Sequence, residues 1–249
     1  MTPEERFVFD LQGYLVIKGV LSPAEVAELN AVADERFAPQ PGEDTADRRT
    51  FGVVHWGEPV KRLIDHPGIV PYLVELLGPK FRLDHDYCIF MTRGERLGKL
   101  HGGHWAAPDH WYRYQDGVMR NGLSVVTFFI SGAADGDGGF ACIPGSHKSN
   151  RLGDLPEEVR AFDSPRPYVV QPAVEAGDAL FFTEALIHGT MRWTASHERR
   201  ALLFKYSPGH SAWWQPYYDL DSLRPLTAQQ ERILSPPSVG GRPDVVATG

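Results

Sequence analysis

Two histidines in matched settings carry the most chemistry in this chain of 249 residues: Leu100-His101-Gly102-Gly103 and, far later, Leu186-Ile187-His188-Gly189. The first stands where an extended segment ends, the second just after an apolar run. Neutral imidazole suits iron, copper and zinc alike. Histidines so far apart in sequence reach one ion only if the fold brings two strands together. Beyond His188 comes Glu198-Arg199-Arg200, and a guanidinium grips a carboxylate through two charge-assisted hydrogen bonds. Neighbours on a strand point to opposite faces, so only one of the two arginines can serve an interior site. A zinc set made of His101, His104 and His110 lacks the Cys or carboxylate partners that such sites often carry.

Between the two histidines lies Gly138-Gly139-Phe140-Ala141-Cys142-Ile143-Pro144-Gly145-Ser146-His147-Lys148, and near the start Phe9-Asp10-Leu11-Gln12-Gly13-Tyr14-Leu15-Val16. In order and spacing, from Phe7 to Tyr206, the chain resembles the phytanoyl-CoA dioxygenase-like family of iron(II)/2-oxoglutarate oxygenases. The resemblance implies a mostly β fold, a double-stranded β-helix (jelly roll) with N-terminal helices packed on one sheet. It implies that His101 and His188 bind iron(II) and that Arg199, rather than Arg200, holds the remote carboxylate of 2-oxoglutarate. Dioxygen then serves to oxidise an unactivated C–H bond of a small-molecule substrate.

One position departs from the family. There the first histidine is followed two residues on by Asp or Glu; here that residue is Gly103. Residues i and i+2 of a strand share a face, so a carboxylate at 103 would complete a two-His-one-carboxylate triad. The motif His-x-Gly resembles the iron(II)/2-oxoglutarate halogenases, where a halide takes the open position. The expectation is therefore chlorination, with chloride as a further ligand and Gly103 as the residue that admits it. Two alternatives stand beside it. One is a hydroxylase with water or another carboxylate, Asp86 or Asp109, at that position. The other is a binding protein without catalysis, against which the retention of both histidines and Arg199 argues.

The stretch after His101 is aromatic and polar without clean periodicity and reads as a long functional loop. His104, Trp105, Tyr112 and Arg113 are expected to line the substrate pocket, with Tyr114 beside them; core filling is the rival reading for the aromatic members. Trp213 and Trp214 are expected to close the pocket from the other side, and His147 to make a structural hydrogen bond.

The elements that must position these groups are largely marked. Thr2-Pro3-Glu4-Glu5 and Ser22-Pro23-Ala24-Glu25 are capping boxes opening helices that end before Gly13 and near Arg36. A third helix opens at Asp65-His66-Pro67 and stops at Gly78, Pro156 to Arg160 forms a short one, and another starts after Thr227. Strands are predicted over 14–20, 81–91, 123–131, 167–174, 178–182 and 199–206, a surface loop over 39–50 and a loose tail over 236–249. Nothing divides the chain, so 1–249 reads as one domain. A net charge of −7 disfavours nucleic acid as a partner. Apolar and charged contents of 42% and 23% are those of a soluble globular protein. No signal peptide and no apolar run of about 20 residues is read, so no membrane partner is expected. Two cysteines in apolar runs suggest reduced core thiols and a cytoplasmic setting.

Overall fold

The structure is a computed structural model and describes residues 1–37, 48–104, 106–214 and 217–247. Ten strands are described: β1 (Tyr14–Ile17), β2 (Arg82–Met91), β3 (Leu97–Gly102), β4 (Tyr112–Gln115), β5 (Val118–Asn121), β6 (Ser124–Phe129), β7 (Gly139–Cys142), β8 (Ala179–Thr183), β9 (Ile187–Met191) and β10 (Arg199–Ser207). All pair antiparallel, in a five-stranded sheet of order β1-β8-β6-β10-β2, a three-stranded sheet β3-β9-β7 and a hairpin β4-β5. Among the described residues seven α-helices accompany them: α1 (Pro3–Gln12), α2 (Pro23–Arg36), α3 (Glu58–Lys61), α4 (Val70–Leu77), α5 (Glu157–Arg160), α6 (Leu220–Leu223) and α7 (Ala228–Leu234).

The large sheet is buried on both faces, and the pleat sorts its side chains into two cores. Cys88, Phe90, Val126, Phe128, Ala179, Phe181, Leu202 and Phe204 pack with Phe9, Leu29 and Leu73 from the helices. Their neighbours Tyr87, Ile89, Val125, Phe129, Leu180, Phe182, Ala201 and Leu203 pack instead with Cys142 and Phe140 of the small sheet. The second core lies between the sheets, which is the jelly-roll arrangement.

Local chemistry explains the helix boundaries. Thr2, Ser22 and Thr227 each accept from the third helical N–H, while Glu5, Glu25 and Gln230 reach back. Gly13 ends α1 in the left-handed region, φ 83°, and a Cβ there would lie 2.6 Å from His147 Nδ1. Conformation and close approach both require glycine.

Four expectations change. The third helix begins at Val70, because Gly68 N–H donates to His66 Nδ1 and holds 66–69 in turns. Residues 167–174 make only two isolated bridges, Cys142↔Val170 and Ala133↔Val174, since Pro167 and Pro172 have no N–H for a ladder. The long loop after His101 contains a hairpin: Asp116 and Gly117, with φ 53° and 79°, form the tight turn between β4 and β5. The C-terminal segment is not loose as far as 247. Arg242 is buried and donates to carbonyls of Lys80, Phe81, Arg232, Ile233, Ser235 and Pro236, which caps the end of α7. The predicted loop over 39–50 falls mostly outside the described residues; Arg48 bridges Phe90 in β2.

Candidate active site

The β3–β9 register sets His101 opposite His188, with ring centroids 4.5 Å apart. Each Nδ1 lies 2.8 Å from a backbone carbonyl, that of Lys99 for His101 and that of Leu186 for His188. A carbonyl only accepts, so Nδ1 carries the proton and each Nε2 presents a lone pair. Phe182, 4.7 Å away, and Phe140, stacked at 6.1 Å, fix the His188 ring. Burial pushes the pKa of His188 down to about 3, so it is the neutral imidazole that a metal requires.

Both histidines line a cavity of about 180 Å³ between the sheets, together with Tyr87, Ile89, Thr127, Leu203 and Arg199. Arg199 shares the inner face of β10 with Ala201 and Leu203 and is 2% exposed. Its Nη1 donates to Ile89 O at 3.2 Å, and among the described residues its buried Nε has no partner. A Cβ on Gly139 would lie 2.8 Å from that Nε, so glycine makes the room. Burial lowers the guanidinium to about 10, still cationic at neutral pH. Among the described residues no carboxylate is ion-paired with it. Arg200 faces the other way and is taken by Glu198 and Asp34. A buried cation with a spare donor, on the cavity into which two imidazoles open, fits an anionic ligand that also reaches a metal.

Gly103 does not face this cavity. A Cβ there would collide with Leu152 Cδ1 and lie 3.4 Å from Ile187 Cγ1. The same-face rule fails because β3 ends at Gly102, and Gly102 and Gly103 both turn into positive φ, 79° and 104°. The reading of Gly103 as the residue that opens a coordination position is corrected on that ground.

The proposed substitutes for its carboxylate are engaged elsewhere. Asp86 accepts from Val54 N–H and Tyr218 O–H, each at 2.9 Å. Asp109 accepts from Ser211 O–H at 3.0 Å and Ser207 O–H at 3.4 Å.

The pocket expected after His101 is not assembled either, because the hairpin carries that stretch toward α1 and α4. Tyr112 donates to Asp10 and packs its ring on His147 at 4.8 Å. Arg113 lies over Trp111, exposed, and Tyr114 is exposed too. His104 is half-buried but does not line the cavity. Trp105 lies outside the described residues. Trp214 stacks on Phe51 at 5.7 Å, and Phe51 packs on Tyr87 at the cavity wall. Trp213 packs on His110 at 5.1 Å. His147 makes its structural bond, Nε2 to Asp10 O at 3.1 Å.

Sequence reasoning missed Glu184 and Lys205. The Glu184 carboxylate is fully enclosed, with Oε1 2.7 Å from Lys205 Nζ and Oε2 3.9 Å from His188 Nε2 and 3.8 Å from His110 Nε2. Burial alone would raise its pKa, but the Lys205 ammonium holds it well below the usual carboxylate range. The available signal was an acid inside the apolar run Ala179–Leu186. Among the described residues no three His, Cys, Asp or Glu side chains stand close enough, as they are, to hold one ion together.

Residues 9–201 match the family described as phytanoyl-CoA dioxygenase (PhyH). Among solved structures, HygX from Streptomyces hygroscopicus with nickel and 2-oxoglutarate bound is similar at a TM-score of 0.77 and 25% identity, over 91% of this chain and 95% of that one. HygX with nickel, 2-oxoglutarate and hygromycin B gives 0.74 and 28%, over 86% and 90%. EctD from S. alaskensis with 2-oxoglutarate and 5-hydroxyectoine shares the fold, at 0.65 and 21% over 83% and 76%. No curated protein matches.

Proposed function

Because the chain belongs to the phytanoyl-CoA dioxygenase family and is a non-haem iron(II)/2-oxoglutarate oxygenase, we propose that it hydroxylates an unactivated C–H bond of a small molecule. The observation that carries this is one cavity holding two imidazole Nε2 lone pairs and the buried, unpaired Nε of Arg199. His101 and His188 would hold the iron, and Arg199 would grip the far carboxylate of 2-oxoglutarate with a fork-shaped pair of hydrogen bonds. Iron, with the keto acid and dioxygen, supplies the oxidising power. The chain orients the ligands: Tyr87, Ile89, Phe182 and Leu203 wall the buried side of the cavity, and the low dielectric there strengthens the interactions of the enclosed Arg199. The backbone carbonyls of Lys99 and Leu186 keep both imidazoles in the ligating tautomer.

Hydroxylation is preferred to chlorination because the halide position was inferred from Gly103, whose missing side chain points at Leu152 and Ile187. HygX with hygromycin B bound supports a soluble small molecule as the substrate class. Cys88 and Cys142, both buried thiols, support a cytoplasmic setting. The test is product mass spectrometry on a substrate that supports 2-oxoglutarate turnover, with and without added chloride or bromide. A hydroxylated product indifferent to halide is expected. A halogenated product would overturn the hydroxylase reading and return the enzyme to the halogenases.

A further inference from the structure

The cavity of His101, His188 and Arg199 is small. At about 180 Å³ it falls below the roughly 300–1,000 Å³ usual for a small-molecule pocket, so iron and the keto acid would leave little of it for a substrate. A pocket of about 400 Å³ stands on the other side of its wall. Tyr87 lines the cavity, and His85, two residues back on β2, lines the pocket. Their rings stack at 5.9 Å and 15°. Phe51 packs on both, 5.4 Å from Tyr87 and 6.4 Å from His85.

The side chains of that pocket suit one kind of ligand. Trp214 lies flat on Phe51, at 4° and 5.7 Å, yet stays 63% exposed, which leaves apolar, electron-rich ring surface open to the pocket. Such surface covers the C–H face of a ring and attracts a cation. His85 is only 6% exposed, and its Nδ1 lies 2.7 Å from Asp84 Oδ1. Asp84 also accepts from Arg82 and from the backbone N–H groups of Trp213 and Trp214, so one buried carboxylate fixes the imidazole and the Trp214 backbone together. With Nδ1 donating, the neutral His85 ring keeps an Nε2 lone pair that has no partner among the described residues. Asp219 stands exposed at the rim, and Asp86 at the floor is held by Val54 N–H and Tyr218 O–H. Among the described residues no Lys or Arg lines this pocket. Neighbouring cations are placed elsewhere: Arg49 lies over the Phe51 and Tyr87 rings and lines the metal cavity, and Lys205 holds Glu184.

We propose that this pocket anchors the substrate by an amine-bearing, hydroxyl-rich ring, which stacks on Trp214, sets its ammonium by Asp219 and donates a hydroxyl hydrogen to His85 Nε2. The proposal names a substrate class for the oxygenase reading above and rests on it. The signs of the two sites divide the ligands: the cavity with Arg199 takes the dianionic keto acid, and the pocket beyond the Tyr87 wall takes a cation.

Calorimetric titration of the protein loaded with Ni(II) and 2-oxoglutarate tests it with three probes of similar shape and different charge, D-glucosamine, D-glucose and D-glucuronate, at about pH 7, where the amine is largely protonated. Glucosamine should bind about three- to tenfold more tightly than glucose, and glucuronate most weakly. Asp219→Asn keeps a good helix cap and should remove most of the preference for glucosamine over glucose. Trp214→Ala should weaken both. Both side chains are exposed, so these variants carry the test if His85→Phe, which should also weaken both sugars, does not fold. Binding of none of the three probes, glucuronate bound as well as glucosamine, or glucosamine affinity unchanged in Asp219→Asn or in Trp214→Ala would overturn the proposal. Anaerobic addition of Fe(II) and 2-oxoglutarate separates this failure from that of the wider reading. A wild type that forms the metal-to-ligand charge-transfer band but binds no sugar sinks the pocket alone; a wild type without the band overturns the oxygenase reading, and the pocket's role as a substrate site with it.

Discussion

At the scale of the residue, the site turns on which side chains face the cavity. Arg199 and Arg200 are adjacent and chemically identical, yet among the described residues one is enclosed with no carboxylate paired to it while the other is taken by Glu198 and Asp34. Arg199→Ala should therefore raise the 2-oxoglutarate requirement by the equivalent of about 2–5 kcal/mol, the usual effect of truncating one member of a buried charge pair. Arg200→Ala should leave that requirement nearly unchanged. Titration of 2-oxoglutarate against turnover in the two variants checks this, and equal effects would contradict the register of β10. Gly103 yields the opposite kind of prediction. Gly103→Asp meets a left-handed backbone and the Leu152 side chain, so it should destabilise the fold by about 1–3 kcal/mol without strengthening metal binding. Thermal melts with and without Fe(II) test it; a variant that held iron more tightly than the wild type would contradict the geometry. That His101, His188 and Arg199 meet at one cavity was legible because their contexts repeat a known order. Glu184 was not, since its partner Lys205 is brought beside it only when β10 pairs with β6 and β6 with β8.

At the scale of the element, capping chemistry was the most legible feature, because a cap is decided by residues three apart. The β4–β5 hairpin was not read although Asp116-Gly117 signals it, because the aromatic residues around the turn drew the stretch toward a pocket. Its consequence is the placement of Tyr112 on His147, which sits under α1. Burial pushes His147 down to about 4 from an ordinary 6.5. Below about pH 6.5 the unfolded chain takes up a proton that the folded chain refuses, so stability falls with acid and levels off once the folded form also protonates near about pH 4. The loss attributable to this group is on the order of 3 kcal/mol. His147→Asn, lacking the titration, should be less stable than the wild type at neutral pH but should lose less between about pH 6.5 and about pH 4. Urea unfolding across that range checks it, and parallel decline of the two proteins would contradict the assignment.

At the scale of the whole molecule, the two sheets do what no local segment can. The three-stranded sheet supplies both histidines from adjacent strands, and the five-stranded sheet supplies Arg199 and the opposing wall. The sequence pattern pointed to the mostly β core, and the helices before it, through β-branched runs and glycine–proline turns. The sorting of each strand of the large sheet into two cores was not visible, because a strand buried on both faces loses its polar alternation. The central claim is that this cavity assembles iron and 2-oxoglutarate from the two sheets together. Anaerobic addition of Fe(II) and 2-oxoglutarate to the apoprotein, followed by visible absorption, tests it most directly. The account predicts a metal-to-ligand charge-transfer band that saturates at one iron per chain, is lost in His101→Ala and His188→Ala, and needs much more 2-oxoglutarate in Arg199→Ala. No band in the wild type, or a band that survives either histidine substitution, would contradict it.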